Sequence, residues 1–352
     1  MPFRLPTLRP CFRALFRTAL GLLMLALLAP APALAGKTLA EIRQRGEIAC
    51  GVSTGLAGFS APDSRGQWRG LDTDLCRALA AAVLGQPEKV KWVPLNAQQR
   101  FAALQAGEVD VLARNTTWSL SRDAALGLHF TSIVFHDGQG FMVAKRSGIT
   151  SASQLAHAEI CVQAGTTAEK NLNDYARSRQ MPIRPVVFDH FEASLKAFLS
   201  GRCQAYTTDA SGLAAILQRE TRNPGDYRIL PELISKEPMA PAVRRGDDEW
   251  FAIVKWVIHA LITAEELGLT RANVAEQQQR GDLVAQRLLG RGEDSGQALG
   301  LDREWALRAI AAVGNYGEIY ERNLGSGSPL NLPRGLNRLW NQGGLIYAPP
   351  IR

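Results

Sequence analysis

Residues 71–113, LDTDLCRALAAAVLGQPEKVKWVPLNAQQRFAALQAGEVDVLA, alternate helix and strand patterns and decide the fold. Asp72 can cap a first helix, in which the apolar residues Leu75, Leu79 and Val83 recur every four positions on one face. The Gly and Pro residues that follow end this helix. Such a pattern predicts a helix that packs its apolar face against a sheet.

Three short apolar runs predict the strands of that sheet, at 48–52, 90–95 and 109–113. Asn96 can cap a second helix, which ends at Gly107. Strands that alternate with helices form a parallel sheet, because each helical crossover returns the chain in the same direction. Residues 47–113 therefore form one βαβαβ unit.

The same order of elements returns at 159–208, without any repeat of the sequence itself. The predicted strands are 159–163, 185–189 and 203–207. A helix capped by Thr166 or Thr167 follows the first strand, and a helix at 191–200 follows the second. The chain thus contains two α/β units of similar topology, which predicts two lobes.

The remaining segments are expected to join and cover these units. Residues 138–145 are predicted to cross between the lobes, and residues 229–243 to return. Asp247 or Asp248 then caps a long amphipathic helix, and a Gly-, Pro- and Asn-rich tail wraps a lobe. The expected organisation is a signal peptide at 1–35, lobe 1 at 36–143, lobe 2 at 144–238, and at 239–352 a return to lobe 1 with C-terminal helices and a wrapping tail.

Composition sets the class of protein. The chain has 352 residues, a length typical of about two domains, and its 46% hydrophobic and 21% charged residues are those of a folded protein. The formal charge is +7, but residues 1–35 hold four Arg and no acid, which leaves 36 basic against 33 acidic residues. This balance is too even to indicate a nucleic-acid partner.

The first 35 residues have the pattern of a secretory signal. Arg13 and Arg17 precede the apolar run 19–29, and an A-x-A sequence ends at Ala35. Cleavage after Ala35 leaves Gly36 rather than Cys at the new N-terminus, so no lipid anchor is expected. No other run of about 18 apolar residues occurs. The mature protein is expected to be exported to the periplasm and soluble.

The cysteine count agrees with export. Cys11 leaves with the signal, and an even number in an oxidising compartment indicates disulfides. Cys50 lies on a strand and Cys76 on the helix expected to pack on it, while Cys161 and Cys203 lie on neighbouring strands. The favoured pairs are 50–76 and 161–203, and four free buried thiols are the alternative. The His and Cys spacings match no metal site, so no metal or cofactor is expected.

Residues 51–55, GVSTG, match the G-x-S-x-G motif of serine hydrolases. That chemistry needs a sharp turn from a strand directly into a helix. No helix begins here until about Asp72, which indicates a chance match.

Polar side chains follow three of the predicted strands at their carboxyl ends. Open α/β sheets bind ligands at these strand ends. Arg122 comes after one strand, Thr167 after another and Asp209 after a third. A guanidinium and helix N–H groups suit a carboxylate, and a carboxylate suits an ammonium group, so the set fits a zwitterion. Each residue also has a simpler interpretation, since Thr167 and Asp209 are good helix caps and Arg122 could be a surface charge.

The stretches GEVDVLARNTTWSLSRD (107–123), CVQAGTT (161–167) and GRCQAYTTD (201–209) resemble the extracytoplasmic solute-binding proteins of ABC transporters for polar amino acids. The general L-amino-acid-binding branch resembles the chain over nearly its whole mature length. The resemblance implies a type II periplasmic-binding-protein fold, in which two βαβ lobes joined by two crossing strands enclose the ligand. It also implies a monomer that captures L-amino acids and delivers them to a membrane permease.

The resemblance implies a role for five residues. Arg122 would bind the α-carboxylate of the ligand, helped by Thr117 and Thr167. Asp209 would bind the α-ammonium group, with the main-chain carbonyl of Asn115 as a second acceptor.

One departure from the family concerns the side-chain pocket. Related binders place an aromatic residue over the ligand, but Leu56 stands nearest that position here. Phe59 or Trp118 is expected to line the pocket instead, and Arg114 to contact a side-chain carboxylate or amide. A pocket that fits no single side chain closely would suit broad specificity for polar or acidic amino acids.

The main alternative is a periplasmic enzyme on the same fold, of the cyclohexadienyl or arogenate dehydratase type. An enzyme needs an acid or base beside the reacting group, and the candidates are Glu169 and His136. Neither has a pattern of its own that indicates catalysis, so the sequence favours a binding protein over an enzyme.

Overall fold

The computed structural model describes residues 36–351, so the predicted signal peptide lies outside the described residues. These residues form two α/β lobes, each built on one five-stranded sheet. The strands are β1 Ile48–Val52, β2 Ala61–Pro62, β3 Trp68–Arg69, β4 Val90–Pro94, β5 Val111–Leu112, β6 Leu128–Phe130, β7 Phe135–Asp137, β8 Gln139–Ala144, β9 Glu159–Gln163, β10 Arg184–Phe188, β11 Ala205–Asp209, β12 Tyr227–Ile229, β13 Glu237–Met239 and β14 Ala242–Arg244.

The α-helices follow the expected alternation. They are α1 Lys37–Arg45, α2 Leu71–Leu84, α3 Arg100–Ala106, α4 Leu120–Ala125, α5 Thr167–Ser178, α6 Phe191–Leu199, α7 Ala210–Arg219, α8 Asp248–Glu266, α9 Val274–Arg280, α10 Leu283–Leu288, α11 Trp305–Val313 and α12 Tyr316–Asn323. None of the helices between residues 36 and 351 is long and apolar enough to cross a membrane.

Lobe 1 is the part built on the sheet with strand order β4-β1-β5-β14-β6. β1 runs parallel to both β4 and β5, as the alternating pattern predicts. Every residue of β1 is buried, because it has neighbours on both edges and helices on its faces. Cys50 on β1 is bonded to Cys76 on α2, which ties this helix to the centre of the sheet.

Lobe 2 is the part built on the sheet with order β10-β9-β11-β8-β12. β9 runs parallel to β10 and β11, so the second βαβαβ unit has the predicted topology. Cys161 on β9 is bonded to Cys203, just before β11. Both disulfides therefore join the cysteines that the strand and helix order brings together.

The crossing between the lobes lies earlier in the chain than predicted. β8, within the segment expected to cross, pairs along its length with β11 and belongs wholly to lobe 2. The first link is instead β7, which pairs antiparallel with β13. β13 lies within the segment 229–243 that was expected to return between the lobes. An apolar strand that contains Gly has the same sequence pattern whether it crosses between lobes or lies within one sheet. Only the strand pairing distinguishes the two positions.

Capping determines where two of the predicted helices begin. Thr166, not Thr167, caps α5, since its hydroxyl accepts the N–H of Glu169. α3 begins at Arg100 rather than directly after Asn96, because the Asn96 side chain accepts two N–H groups within a preceding turn.

The C-terminal helices and tail complete the core of lobe 1. α11 packs against α2, and Trp305, Tyr316 and Tyr320 are almost fully buried. The side chain of Asn337 binds the main chain of His136 at both its N–H (2.6 Å) and its carbonyl (3.1 Å). The tail thereby holds one of the two linking strands in place.

Candidate functional site

A cavity of about 60 Å³ lies between the lobes, at the carboxyl ends of the strands of both sheets. This is where open α/β sheets bind ligands. Its walls come from both lobes and are lined by Ser53, Thr54, Gly55, Leu56, Arg100, Arg114, Asn115, Thr117, Gln163, Thr166, Thr167, Ala168, Phe191, Thr208, Asp209, Gly212 and Ile216. Five of the predicted site residues, Arg114, Asn115, Thr117, Thr167 and Asp209, lie on these walls.

The lobes touch each other around this cavity. Side-chain contacts join Thr54 to Glu192 (3.4 Å), Gln98 to Asp189 (3.1 Å) and Thr117 to Thr167 (3.4 Å). The first residue of each pair belongs to lobe 1 and the second to lobe 2. The structure is therefore a closed arrangement, in which the cavity is enclosed by both lobes.

Asp209 is the acidic group of the cavity. It occupies the residue before α7, yet its carboxylate makes no capping hydrogen bond, so the simpler interpretation as a cap does not account for it. Burial raises its pKa well above the ordinary value, and the negative charges of Asp137 and Glu237 raise it further. An ammonium group in the cavity would relieve this cost of desolvation.

Arg122 lies behind Thr117 rather than on the cavity wall. It is 7% exposed, which excludes a role as a surface charge. Its Nη1 donates to the Thr117 carbonyl (2.9 Å), and its guanidinium lies over the Phe101 ring. Burial lowers its pKa, while the charges of Glu237 and Asp209 oppose that shift.

Asn115 is held in place by a buried carboxylate, and Arg114 by a main-chain carbonyl. Asp72 accepts the N–H of Asn115 (2.8 Å), which fixes the left-handed turn of Asn115 at φ 33°. Arg114 donates through Nε to the Leu95 carbonyl (2.9 Å). Burial raises the pKa of Asp72 to about 6, and burial lowers the pKa of Arg114 to about 10.

Arg100 is a cavity residue that the sequence analysis missed. It is 3% exposed, and its Nε has no hydrogen-bond partner within residues 36–351. Burial and the charges of Arg114 and Arg122 hold its pKa well below the ordinary value. Arg100 follows β4, whose carboxyl end lies at the same edge as those of β1 and β5, so the rule about strand ends could have found it.

The three arginines together make the lobe 1 side of the site strongly positive. Within the described part of the chain, no carboxylate lies within 4 Å of a guanidinium nitrogen of Arg100, Arg114 or Arg122. Buried charges are normally paired or bound to a ligand of opposite sign. This arrangement therefore suits a ligand with carboxylate groups on the lobe 1 side and an ammonium group near Asp209.

Glu237 on β13 is the second residue that the sequence analysis missed. Its side chain is buried and accepts four hydrogen bonds. The donors are Thr117 Oγ1 (2.6 Å) and Thr167 Oγ1 (2.8 Å) to Oε2, and Asn171 Nδ2 (2.7 Å) and Ser235 Oγ (2.5 Å) to Oε1. A single Glu in an irregular, Pro-rich segment carries no signal that marks it from sequence.

The structure places neither of the expected aromatic residues on the cavity. Phe59 is 1% exposed and packs edge-on against Phe135 in the core of lobe 1, because the chain doubles back between Leu56 and Ser60. Trp118 is partly exposed, and its indole N–H donates to Asp123. The apolar lining comes from Leu56 and, across the cleft, Phe191.

The candidates for catalysis lie away from the cavity. Glu169 accepts the N–H of Gly165 in the turn before α5. His136 lies on a linking strand, where burial lowers its pKa. Ser53 does reach the cavity wall, but no His side chain lines it as a partner for a nucleophilic serine. No group of three His, Cys, Asp or Glu residues within 36–351 is placed to hold a metal ion.

Known proteins are similar in sequence over nearly the whole chain. The "General L-amino acid-binding periplasmic protein AapJ" of Rhizobium johnstonii is 52% identical over 340 residues, covering 96% of this chain and 99% of that protein. The "Glutamate/glutamine/aspartate/asparagine-binding protein BztA" of Rhodobacter capsulatus is 51% identical, covering 92% and 95%.

A solved structure agrees with these relatives. An ABC transporter periplasmic binding protein from Brucella ovis, with glutathione bound, matches with a TM-score of 0.87 and 53% identity, covering 90% of this chain and 99% of that one. Residues 48–271 also match the family model of bacterial extracellular solute-binding proteins, family 3. The chain belongs to this family, the bacterial extracellular solute-binding proteins of family 3, whose type II periplasmic-binding fold it shares.

Proposed function

We propose that this protein is the periplasmic component of an ABC transporter that captures L-amino acids, with broad specificity for polar or acidic ones, and delivers them to a membrane permease. The observation that carries this proposal is the enclosed cavity between the lobes. On one side lies the carboxylate of Asp209, which makes no helix-capping hydrogen bond, and on the other side lie buried guanidinium groups. The relatives named for general L-amino acids and for glutamate, glutamine, aspartate and asparagine support the ligand class.

The ligand would be held at its two charged ends. Arg122 binds the α-carboxylate, and Asp209 binds the α-ammonium group together with the Asn115 carbonyl. Glu237 already accepts hydrogen bonds from the hydroxyl groups of Thr117 and Thr167. In the closed arrangement the α-carboxylate therefore depends on Arg122 and on the main-chain N–H groups that begin α5.

Arg100 and Arg114 would face the side chain of the ligand. Neither guanidinium has a carboxylate partner, and an ω-carboxylate would supply one. An ω-amide would supply only its carbonyl oxygen as an acceptor. We expect acidic ligands to bind more tightly than their amides for this reason.

The size of the cavity favours a single amino acid. A volume of about 60 Å³ corresponds to the space of roughly four to six water molecules. A larger groove of about 740 Å³ adjoins it and shares Thr54, Gly55 and Phe191 with its wall. Because the Brucella ovis protein has glutathione bound, a tripeptide that extends into this groove is a ligand to include in the test.

The remaining parts of the proposal concern processing, assembly, cofactors, lobe boundaries and catalysis. We propose cleavage after Ala35 without lipid attachment, a monomer, no nucleic-acid partner, and no cofactor or metal. The lobes are proposed to divide at Phe135–Asp137, in place of the boundary after residue 143, and within Glu237–Met239, where the expected boundary after residue 238 falls. We also propose that the protein is not an enzyme, since the expected acid and base candidates lie off the cavity.

Calorimetric titration tests the function directly. The mature protein, unfolded and refolded to remove bound ligand, is titrated with the twenty L-amino acids and with glutathione. We expect micromolar or tighter binding of several amino acids, with the ligand recovered unchanged by mass spectrometry. Binding by none of the amino acids would contradict the proposed site, and conversion of the ligand would favour the enzyme.

A further inference from the structure

Glu237 stands where both lobes and the linking strands meet. It begins β13, which pairs with β7 to form the link between the lobes. Its side chain is 1% exposed, although it is a carboxylate. Such a buried charge is retained in a fold only where its acceptor oxygens are satisfied.

The two carboxylate oxygens of Glu237 have different partners. Oε1 accepts from Asn171 on lobe 2 and from Ser235 in the linking segment. Oε2 accepts from Thr117 on lobe 1 and from Thr167 on lobe 2. β13 is itself joined to lobe 1, because the N–H of Trp118 donates to the Pro238 carbonyl (2.7 Å). Glu237 therefore stays beside Thr117, while Thr167 and Asn171 reach it from lobe 2.

We propose that Glu237 is a latch, which is held beside lobe 1 and keeps the lobes closed by accepting the Thr167 hydroxyl and the Asn171 amide of lobe 2. These bonds can form only when α5 of lobe 2 approaches β13. When the lobes separate, Thr167 and Asn171 leave, and each carboxylate oxygen loses one of its two donors. Hydrogen bonds to an ionised carboxylate are stronger than those between neutral groups, so this loss opposes opening.

The latch acts on the ligand site because it uses the hydroxyl groups that line it. The inference rests on the proposed function only in assuming that closure encloses the ligand. A ligand binds more tightly when the binding-competent closed state is more populated or lives longer. Glu237 is therefore a positioning residue, which acts on the ligand through closure and through Thr117 and Thr167.

Single-molecule energy transfer measures the latch without relying on affinity. Dyes are placed at exposed positions of the full mature protein, Arg65 on lobe 1 and Arg177 on lobe 2, through unnatural amino acids that leave both disulfides intact. The lifetime of the closed state is recorded without ligand and in 1 mM glutamate. We expect E237A to shorten this lifetime about tenfold. The comparison is made in the condition, with or without glutamate, in which the wild-type protein populates the closed state.

Two sets of variants separate a latch from a general structural role. E232A is the matched control, because Glu232 accepts Ser151 within lobe 2 and spans no cleft. T167V should shorten the closed lifetime alone but add little in the E237A background, since both changes remove the same bond. If E237A fails to fold, T167V and N171A report on the same carboxylate.

The outcomes are distinct from those of the proposed function. An unchanged closed lifetime in E237A, an equal effect of E232A, or fully additive effects of T167V and E237A would overturn the latch. So would a wild type that never closes in either condition. A wild type that closes without ligand but responds to no amino acid would contradict the proposed function, while E237A would still decide the latch.

Discussion

The hydroxyl oxygens of Thr117 on lobe 1 and Thr167 on lobe 2 lie 3.4 Å apart, and both groups donate to the same oxygen of Glu237. The two residues are 50 positions apart in the sequence and belong to different sheets. Their approach marks the place where the lobes meet beside the cavity. The predictions below concern the charged groups around this point and the bonds that hold each lobe together.

Arg122→Ala should weaken the binding of every amino acid that wild type binds. The α-carboxylate is common to all of them and would lose its guanidinium partner, at a cost of about 2–5 kcal/mol. Calorimetric titration with glutamate and glutamine checks this. Arg65→Ala removes an exposed charge from lobe 1 and is the control. Equal losses in both variants, or no loss in Arg122→Ala, would show that Arg122 does not bind the carboxylate.

Arg100→Gln should discriminate between acidic ligands and their amides. Glutamate is expected to lose about tenfold to hundredfold in affinity, because its ω-carboxylate loses a charged donor, while glutamine changes much less. The measurement is the ratio of the two dissociation constants in wild type and variant. A variant that loses both ligands equally would place Arg100 at the α-carboxylate or in a structural role.

Asp209 should make binding dependent on pH. Its pKa in the empty site is raised, so a fraction of the site is protonated at pH values below that pKa and cannot pair with an ammonium group. The bound ammonium stabilises the carboxylate, so binding releases a proton in the interval between the lower bound-state pKa and the higher free-state pKa. Affinity therefore falls as the pH is lowered through the free-state pKa.

Titration in buffers of different ionisation enthalpy measures that proton directly. Asp209→Asn should bind amino acids more weakly and release no proton, because the titrating group is gone. Asp63→Asn, on the exposed hairpin of lobe 1, is the matched control and should behave as wild type. Proton release that persists in Asp209→Asn would assign the titration to another group, such as Asp137, whose pKa burial raises to about 6.

The second disulfide should stabilise lobe 2. Cys161 and Cys203 close a loop of 42 residues, and a cross-link of that length contributes about 4 kcal/mol by restricting the unfolded chain. The double variant Cys161→Ser and Cys203→Ser should unfold at lower urea concentration. Intrinsic fluorescence and circular dichroism follow this transition. Identical unfolding of the variant and wild type under oxidising conditions would show that the pair does not stabilise the protein.

The alternation of helices and strands predicted the sheets because it is a local property. A period near four in Leu75, Leu79 and Val83 marks one helix face, and short apolar runs mark strands. The order of these elements then fixes which strands are parallel neighbours. That order was enough to place Cys50 beside Cys76 and Cys161 beside Cys203.

The order of the strands also predicted the position of some residues on the cavity wall. Residues that follow β5, β9 and β11 were expected at one edge, and Asn115, Thr167 and Asp209 lie on the cavity wall. Phe59 was placed wrongly because one tight turn sends its ring into the core. Arg122 lies one layer behind the wall, although its position in the chain is the expected one.

The sequence alone determined the α/β class, the two units, the cysteine pairs and the strand ends that carry polar groups. Each of these follows from residues close in the chain or from the order of elements. The tertiary structure revealed Arg100 on the cavity wall, and it alone revealed the bonds of Glu237, which join residues 120 and 70 positions apart. Contacts across a cleft depend on how two sheets are linked and closed, and no local pattern records that geometry.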